Sequence, residues 1–177
     1  MSDIVKRIHS ASLESPSSPW EKVAHFAIGG MRSVGFSECS KYILVETADG
    51  RGLFDCETGE KLVRDREEYP NREASLICDG IGPIEGQPVR MSGLHGGGLP
   101  LTTKDGWVIE IVNTWPKTDI VILKPGHWLH GEKYGKPHQF RKIWSGYEIR
   151  GAGFSYSGKT LLVGESSDLV IYVKKDS

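Results

Sequence analysis

From Trp20 onward, short runs of β-branched and aromatic residues alternate with glycine and turn residues to the end of the chain. The clearest runs are YILVE (42–46), RGLFDC (51–56), ASLIC (74–78), WVIEIV (107–112), DIVIL (119–123), TLLVGE (160–165) and LVIYVK (169–174). Each is five or six residues long and bounded by Gly, Asp, Asn, Pro or Ser, which is how a strand between turns reads. The chain ahead of Trp20 reads differently. Ser2 followed by DIVKRIH, with Ile4, Val5 and Ile8 on one face, predicts a short capped helix, and SLESPSSP (12–19) predicts a linker. No later stretch keeps a period of 3.6. The pattern therefore predicts an all-β protein of antiparallel β-meanders, because the connections are too short for parallel crossovers. It also predicts one domain over 1–177, with helix and linker in 1–19 and a β-meander body in 20–177.

An internal repeat sharpens this. VGFSECSKYILVETADGRGLFD (34–55) and AGFSYSGKTLLVGESSDLVIYV (152–173) align without a gap, Gly35-Phe36-Ser37 on Gly153-Phe154-Ser155 and Lys41 on Lys159. The offset, 153 − 35 = 118, is close to three periods of about 40 residues, the range of propeller-type arrays. A looser copy, TTKDGWVIEIVNTWPKTDIVIL (102–123), lies between them. The stretch GFSECSKYILVETADGRGLFDCETGEKLV resembles one blade of a β-propeller of the tryptophan-aspartate-repeat type, and GFSYSGKTLLVGESSDLVIYVKK resembles the first three strands of another. The chain has no W-D pair and no G-H opening, so the resemblance implies a partial or degenerate propeller, with a β-sandwich of similar meanders as the alternative. Within the blade, Asp55, Thr58 and Gly59 are the parts of a tight hairpin.

Composition bounds the function classes. The 22 glycines in 177 residues suit many turns, and the net charge of −1 supplies no field that would recruit nucleic acid or a membrane. No apolar run approaches the length of a membrane span, the first twenty residues lack the apolar core of a signal peptide, and three cysteines make no disulfide framework; a cytoplasmic location is expected. Cys56 stands between Asp55 and Glu57, which oppose thiolate formation, so it reads as a small apolar strand residue, as do Cys39 and Cys78. MSGLHGGGLP (91–100) lacks the spacing of a phosphate-binding loop and predicts a flexible loop or a close backbone contact.

Two stretches carry candidate chemistry. In KPGHWLHGEKYGKPHQFRKIW (124–144), Lys124, Lys133, Lys136, Arg141 and Lys142 face one acid, Glu132, with Trp128, Tyr134, Phe140 and Trp144 interleaved. Cations among aromatics suit a protein-binding loop, and less well, given the overall charge, an RNA-binding one. The run 55–73 holds seven acids against four bases, so Asp65, Glu67 and Glu68, with Tyr69 as an aromatic anchor, form a second candidate surface. The leading expectation is a non-catalytic protein-binding module that uses Asp65, Glu67, Glu68, Tyr69, Trp128 and Tyr134, with no cofactor and no membrane partner. In size and in lacking catalytic motifs the chain looks like an immunity protein of a bacterial toxin system, which implies an inhibitor that occludes its toxin's active site. The alternatives are a small-ligand or metal-dependent enzyme built on His95, His127, His130 and His138, and an RNA-binding protein using 124–144.

Overall fold

A computed structural model describes residues 2–67 and 76–176. Among these residues one α-helix, α1 (Asp3–Ser10), precedes fourteen strands: β1 (Trp20–Ala27), β2 (Met31–Phe36), β3 (Tyr42–Thr47), β4 (Gly50–Asp55), β5 (Lys61–Asp65), β6 (Ile77–Asp79), β7 (Pro88–Arg90), β8 (Ser92–Gly93), β9 (Val108–Asn113), β10 (Thr118–Leu123), β11 (Arg141–Gly146), β12 (Ile149–Phe154), β13 (Thr160–Glu165) and β14 (Asp168–Lys174). Every pairing between named strands is antiparallel. The all-β expectation holds. No helix among the described residues is long and apolar enough to cross a membrane.

The strands form four sheets. The first has the order β5-β4-β3-β2-β8, the second β6-β7, the third β11-β10-β9, and the fourth β1-β14-β13-β12. Side chains alternate across each sheet, and the alternation shows how the sheets stack. On the fourth sheet, Leu162, Leu169 and Ile171 pack with Val34, Phe36, Ile43, Val45 and Phe54 of the first. Its other face sends Leu161, Val163, Val170 and Tyr172 into a core with Ile109, Ile120, Ile122 and Ile143 of the third. The first sheet turns Leu44 and Leu53 onto Cys78 and Val89 of the second. The third turns Val121 and Leu123 onto Ile8 of α1. The layers thus run second, first, fourth and third sheet, then helix. Strands β13 and β14 are covered on both faces, so TLLVGE and LVIYVK read as unbroken apolar runs instead of alternating ones.

The repeat is a shared turn. Ser37 N–H donates to Tyr42 O (2.9 Å) and the Ser37 hydroxyl accepts from Tyr42 N–H (3.0 Å). At the same offset, Ser155 N–H donates to Thr160 O (2.8 Å) and its hydroxyl accepts from Thr160 N–H (3.1 Å). The fourth residue of each turn is left-handed: Gly158 at φ 72°, and Ser40 at φ 58°. The looser copy makes a related turn with a threonine, the Thr103 hydroxyl accepting from Trp107 N–H, and Gly106 at φ 95°. The Asp55 hairpin is also as expected: its carboxylate accepts from Glu57 N–H, Thr58 N–H and the Thr58 hydroxyl, and Gly59 has φ 71°.

The start of the chain packs onto the body. Ile8 is fully buried, the Lys142 ammonium donates to His9 O at the end of α1 (2.9 Å), and Glu14 N–H donates to Lys142 O (2.8 Å). Beyond this linker, β1 pairs along β14, from Trp20 opposite Lys174 to Ala27 opposite Asp168.

Candidate protein-binding surface

The connection from β10 to β11 carries the aromatic-basic stretch. Glycine and proline deny it a helix, and it folds on itself instead. Gly126 takes φ 81°, Trp128 N–H donates to Pro137 O (2.9 Å), and a short 3-10 turn over Gly131–Tyr134 closes with Gly135 at φ 62°. Gly131 is required where it stands: a Cβ there would lie 2.8 Å from Pro137 O. Leu129 anchors the loop in the core beneath α1. The Trp128 and Tyr134 rings stack, with centroids 5.0 Å apart and planes at 21°, and His130 meets Trp128 edge-on at 6.2 Å. Both stacked rings face solvent, Trp128 at 46% and Tyr134 at 64% exposure.

Helix α1 braces this loop from behind. Arg7 pairs with Glu132 (3.3 Å), donates to His138 O (3.4 Å) and lies 5.2 Å over the Phe140 ring. The loop's one acid is thereby matched, while Lys124, Lys133 and Lys136 of the same loop are exposed. At the loop's base a cleft of about 370 Å³ opens. Trp107, Ile122 and Phe140 line it, with Lys124, His127 and Arg141 alongside and the linker residues Glu14 and Ser17 as one wall. His127 Nδ1 accepts from Gln139 N–H (3.2 Å), which leaves Nε2 as the protonated nitrogen of the neutral ring. Arg141 pairs with Glu14 (3.2 Å), so the cleft already holds one carboxylate on its guanidinium.

The other sequence candidates lie elsewhere. Asp65 ends β5 with its carboxylate 2.7 Å from Arg51 and accepting from Glu67 N–H (2.9 Å). The Glu67 amide and the Arg51 guanidinium hold that carboxyl below its usual range. Glu67 is exposed; Glu68 and Tyr69 lie outside the described residues. His127, His130 and His138 share the β10–β11 loop, whereas His95 sits in the turn after β8. Among the described residues no group of three metal-ligating side chains converges. Cys56 is buried between the first and fourth sheets, where burial pushes its thiol up to about 12. Cys39 is exposed in the β2–β3 turn. Partial burial raises its pKa, but hydrogen bonds from the Ser37 hydroxyl and local backbone outweigh that and leave it lowered.

Composition found Trp128 and Tyr134. It did not find Arg7 and Glu14, which reach the site from elements far away in sequence and carry no local signal. No protein-family model matches the chain, and no curated protein matches it.

Proposed function

We propose that the protein is a non-catalytic protein-binding module that docks through the β10–β11 loop onto an acidic surface of its partner. The observation that carries this reading is the exposed Trp128–Tyr134 stack, set among lysines and braced by Arg7. Hot spots of protein interfaces are enriched in aromatic and arginine anchors, and an anchor held rigid beforehand loses little entropy on binding. The cleft at the base of the loop carries Lys124 as a further cation, which favours an acidic group there. The reading takes the four stacked meanders as a partial β-propeller, a scaffold whose sheet-to-sheet packing keeps the loop in place. It takes the partner to be a toxin domain that the module inhibits by covering its active site.

The test is co-expression with the product of the adjacent gene, followed by calorimetry. Trp128→Ala and Tyr134→Ala should each weaken the complex by about 2 kcal/mol or more, and Lys133→Glu with Lys136→Glu should slow association. Full affinity in all these variants would overturn the loop as the docking surface. A complex in which the partner keeps its activity would overturn inhibition but not binding. An RNA oligonucleotide bound with a steep inverse dependence on salt would favour the nucleic-acid reading instead.

A further inference from the structure

A second cleft, of about 540 Å³, opens at the other end of the strands, where the β9–β10 and β11–β12 turns lie. One wall is apolar: Leu101 and Ile111, 42% and 43% exposed, with Ile149 beside them. The facing wall is the backbone of Gly97 and Gly98. Gly97 has φ 83°, and a Cβ there would lie 2.1 Å from Met91 O, so the chain is pressed against β8 and its neighbour is fixed. At Gly98 a Cβ would meet nothing within 4 Å.

Between these walls stands Arg150. Its side chain is 16% exposed and held in place: Nε donates to Met31 O (2.9 Å) and Nη2 pairs with Glu148 at 3.3 Å. The β11–β12 turn behind it is pinned by Glu165, whose carboxylate accepts from Tyr147 N–H (2.9 Å) and Trp144 Nε1–H (3.0 Å). Glu148, by contrast, is 59% exposed, so its pairing with Arg150 lies largely in solvent. A rooted guanidinium, a solvent-exposed carboxylate paired with it, and exposed aliphatic side chains in the same cleft are together complementary to an amphiphilic anion.

We propose that this cleft binds a small organic monoanion: a carboxylate on a short apolar body, its charge on Arg150 in place of Glu148 and its carbons against Leu101, Ile111 and Ile149. A single charge fits better than two, because Glu148 stays close by and opposes further negative charge. The site is separate from the docking loop and does not depend on it.

Hexanoate, hexanamide and inorganic phosphate serve as probes in amide NMR titrations of the ¹⁵N-labelled chain. Hexanoate is expected to shift the Gly97, Gly98 and Tyr147–Arg150 resonances saturably, with at least tenfold weaker effects from the other two. Glu148→Gln should tighten hexanoate binding several-fold, because the competing carboxylate is gone. Gly98→Phe should abolish it by filling the cleft, and Ile111→Asp should do the same by charge. Equal responses to hexanoate and hexanamide would overturn the role of charge, and an equal response to phosphate would overturn that of the apolar body. Unchanged hexanoate binding in Gly98→Phe and Ile111→Asp, weaker binding in Glu148→Gln, or no saturable shift at all would each overturn the proposal.

Discussion

The first and fourth sheets begin from the same motif and end differently. Each opens with a G-F-S strand, makes the same serine turn, and continues through two further strands. In the first sheet the third strand runs into Asp55, whose carboxylate gathers the Glu57 and Thr58 amides and sends the chain back as β5. In the fourth, the position 118 residues on is Val173, which has no side chain to organise such a turn. The edge of β14 is taken instead by β1, from the opposite end of the sequence. Where the hairpin signature is written, the outer strand is local and half-exposed; where it is missing, the outer strand is remote and brings a buried tryptophan with it. Trp20 is 4% exposed and meets Trp107 and Phe154 at ring distances of 5.9 and 5.4 Å, whereas no residue of β5 is fully buried.

The contrast breaks if the two outer strands matter equally. Trp20→Ala should cost about 3–5 kcal/mol in urea denaturation, against about 1 kcal/mol for Val63→Ala on β5. The thiols give an independent readout: in the native protein Ellman's reagent should react with Cys39 and not with the buried Cys56 and Cys78, and in Trp20→Ala, which empties the core on the other face of the fourth sheet, Cys56 should react faster only in proportion to the loss of global stability. Next in size is the tie that holds the chain's start against β11. Lys142 and Asp119 form a buried pair at 3.6 Å, and the Thr114 hydroxyl donates to the same Asp119 oxygen. Lys142→Met should cost about 3 kcal/mol, because it leaves the buried Asp119 carboxyl without its partner, and adding Asp119→Leu should recover most of the loss. The shared turn should behave alike in both sheets: Ser37→Ala and Ser155→Ala are each expected to cost about 1–2 kcal/mol, since each strips the equivalent backbone N–H, part-buried at Tyr42 and buried at Thr160, of its side-chain acceptor. Losses differing by more than about twofold would separate the two turns.

The smallest expected effect concerns the β1–β14 edge, where His25 Nε2 meets Asp168 at 2.8 Å. The Ser167 hydroxyl and His25 hold the Asp168 carboxyl below its ordinary range. A depressed carboxyl stabilises the fold above the ordinary carboxylate pKa, and that contribution disappears as pH falls through the native value. Asp168→Asn should therefore cost well under 1 kcal/mol at neutral pH, and the difference from wild type should vanish below about pH 3. Denaturation curves across that range give the comparison.

What was legible in the sequence follows burial. The runs at 42–46, 160–165 and 169–174 stood out because their strands are covered on both faces. The Asp55 hairpin stood out because its turn chemistry is local. Strand β1 did not: a bulge between Lys22 and Ala24 breaks its alternation, and its exposed face mixes charge with alanine. Strands β7 and β8 are too short for any period, and at Gly151 of β12 a side chain would crowd Val34 and Ser92. The site was legible in residue type only. Trp128 and Tyr134 were named by composition, but their bracing by Arg7, 125 residues from Glu132, and the cleft around Arg150 arise from contacts that no window of sequence contains.

The β1–β14 pairing has a consequence for how the chain is made. Emerging from the ribosome, β1 precedes β14, its one strand neighbour among the described residues, by about 140 residues, so Trp20 and an unsatisfied strand edge stay available to other chains until β14 has been made. Such late closure is slow by topology and open to mispairing. Chaperone dependence during translation, with prompt solubility once β14 has been released, is the cellular signature this fold should leave.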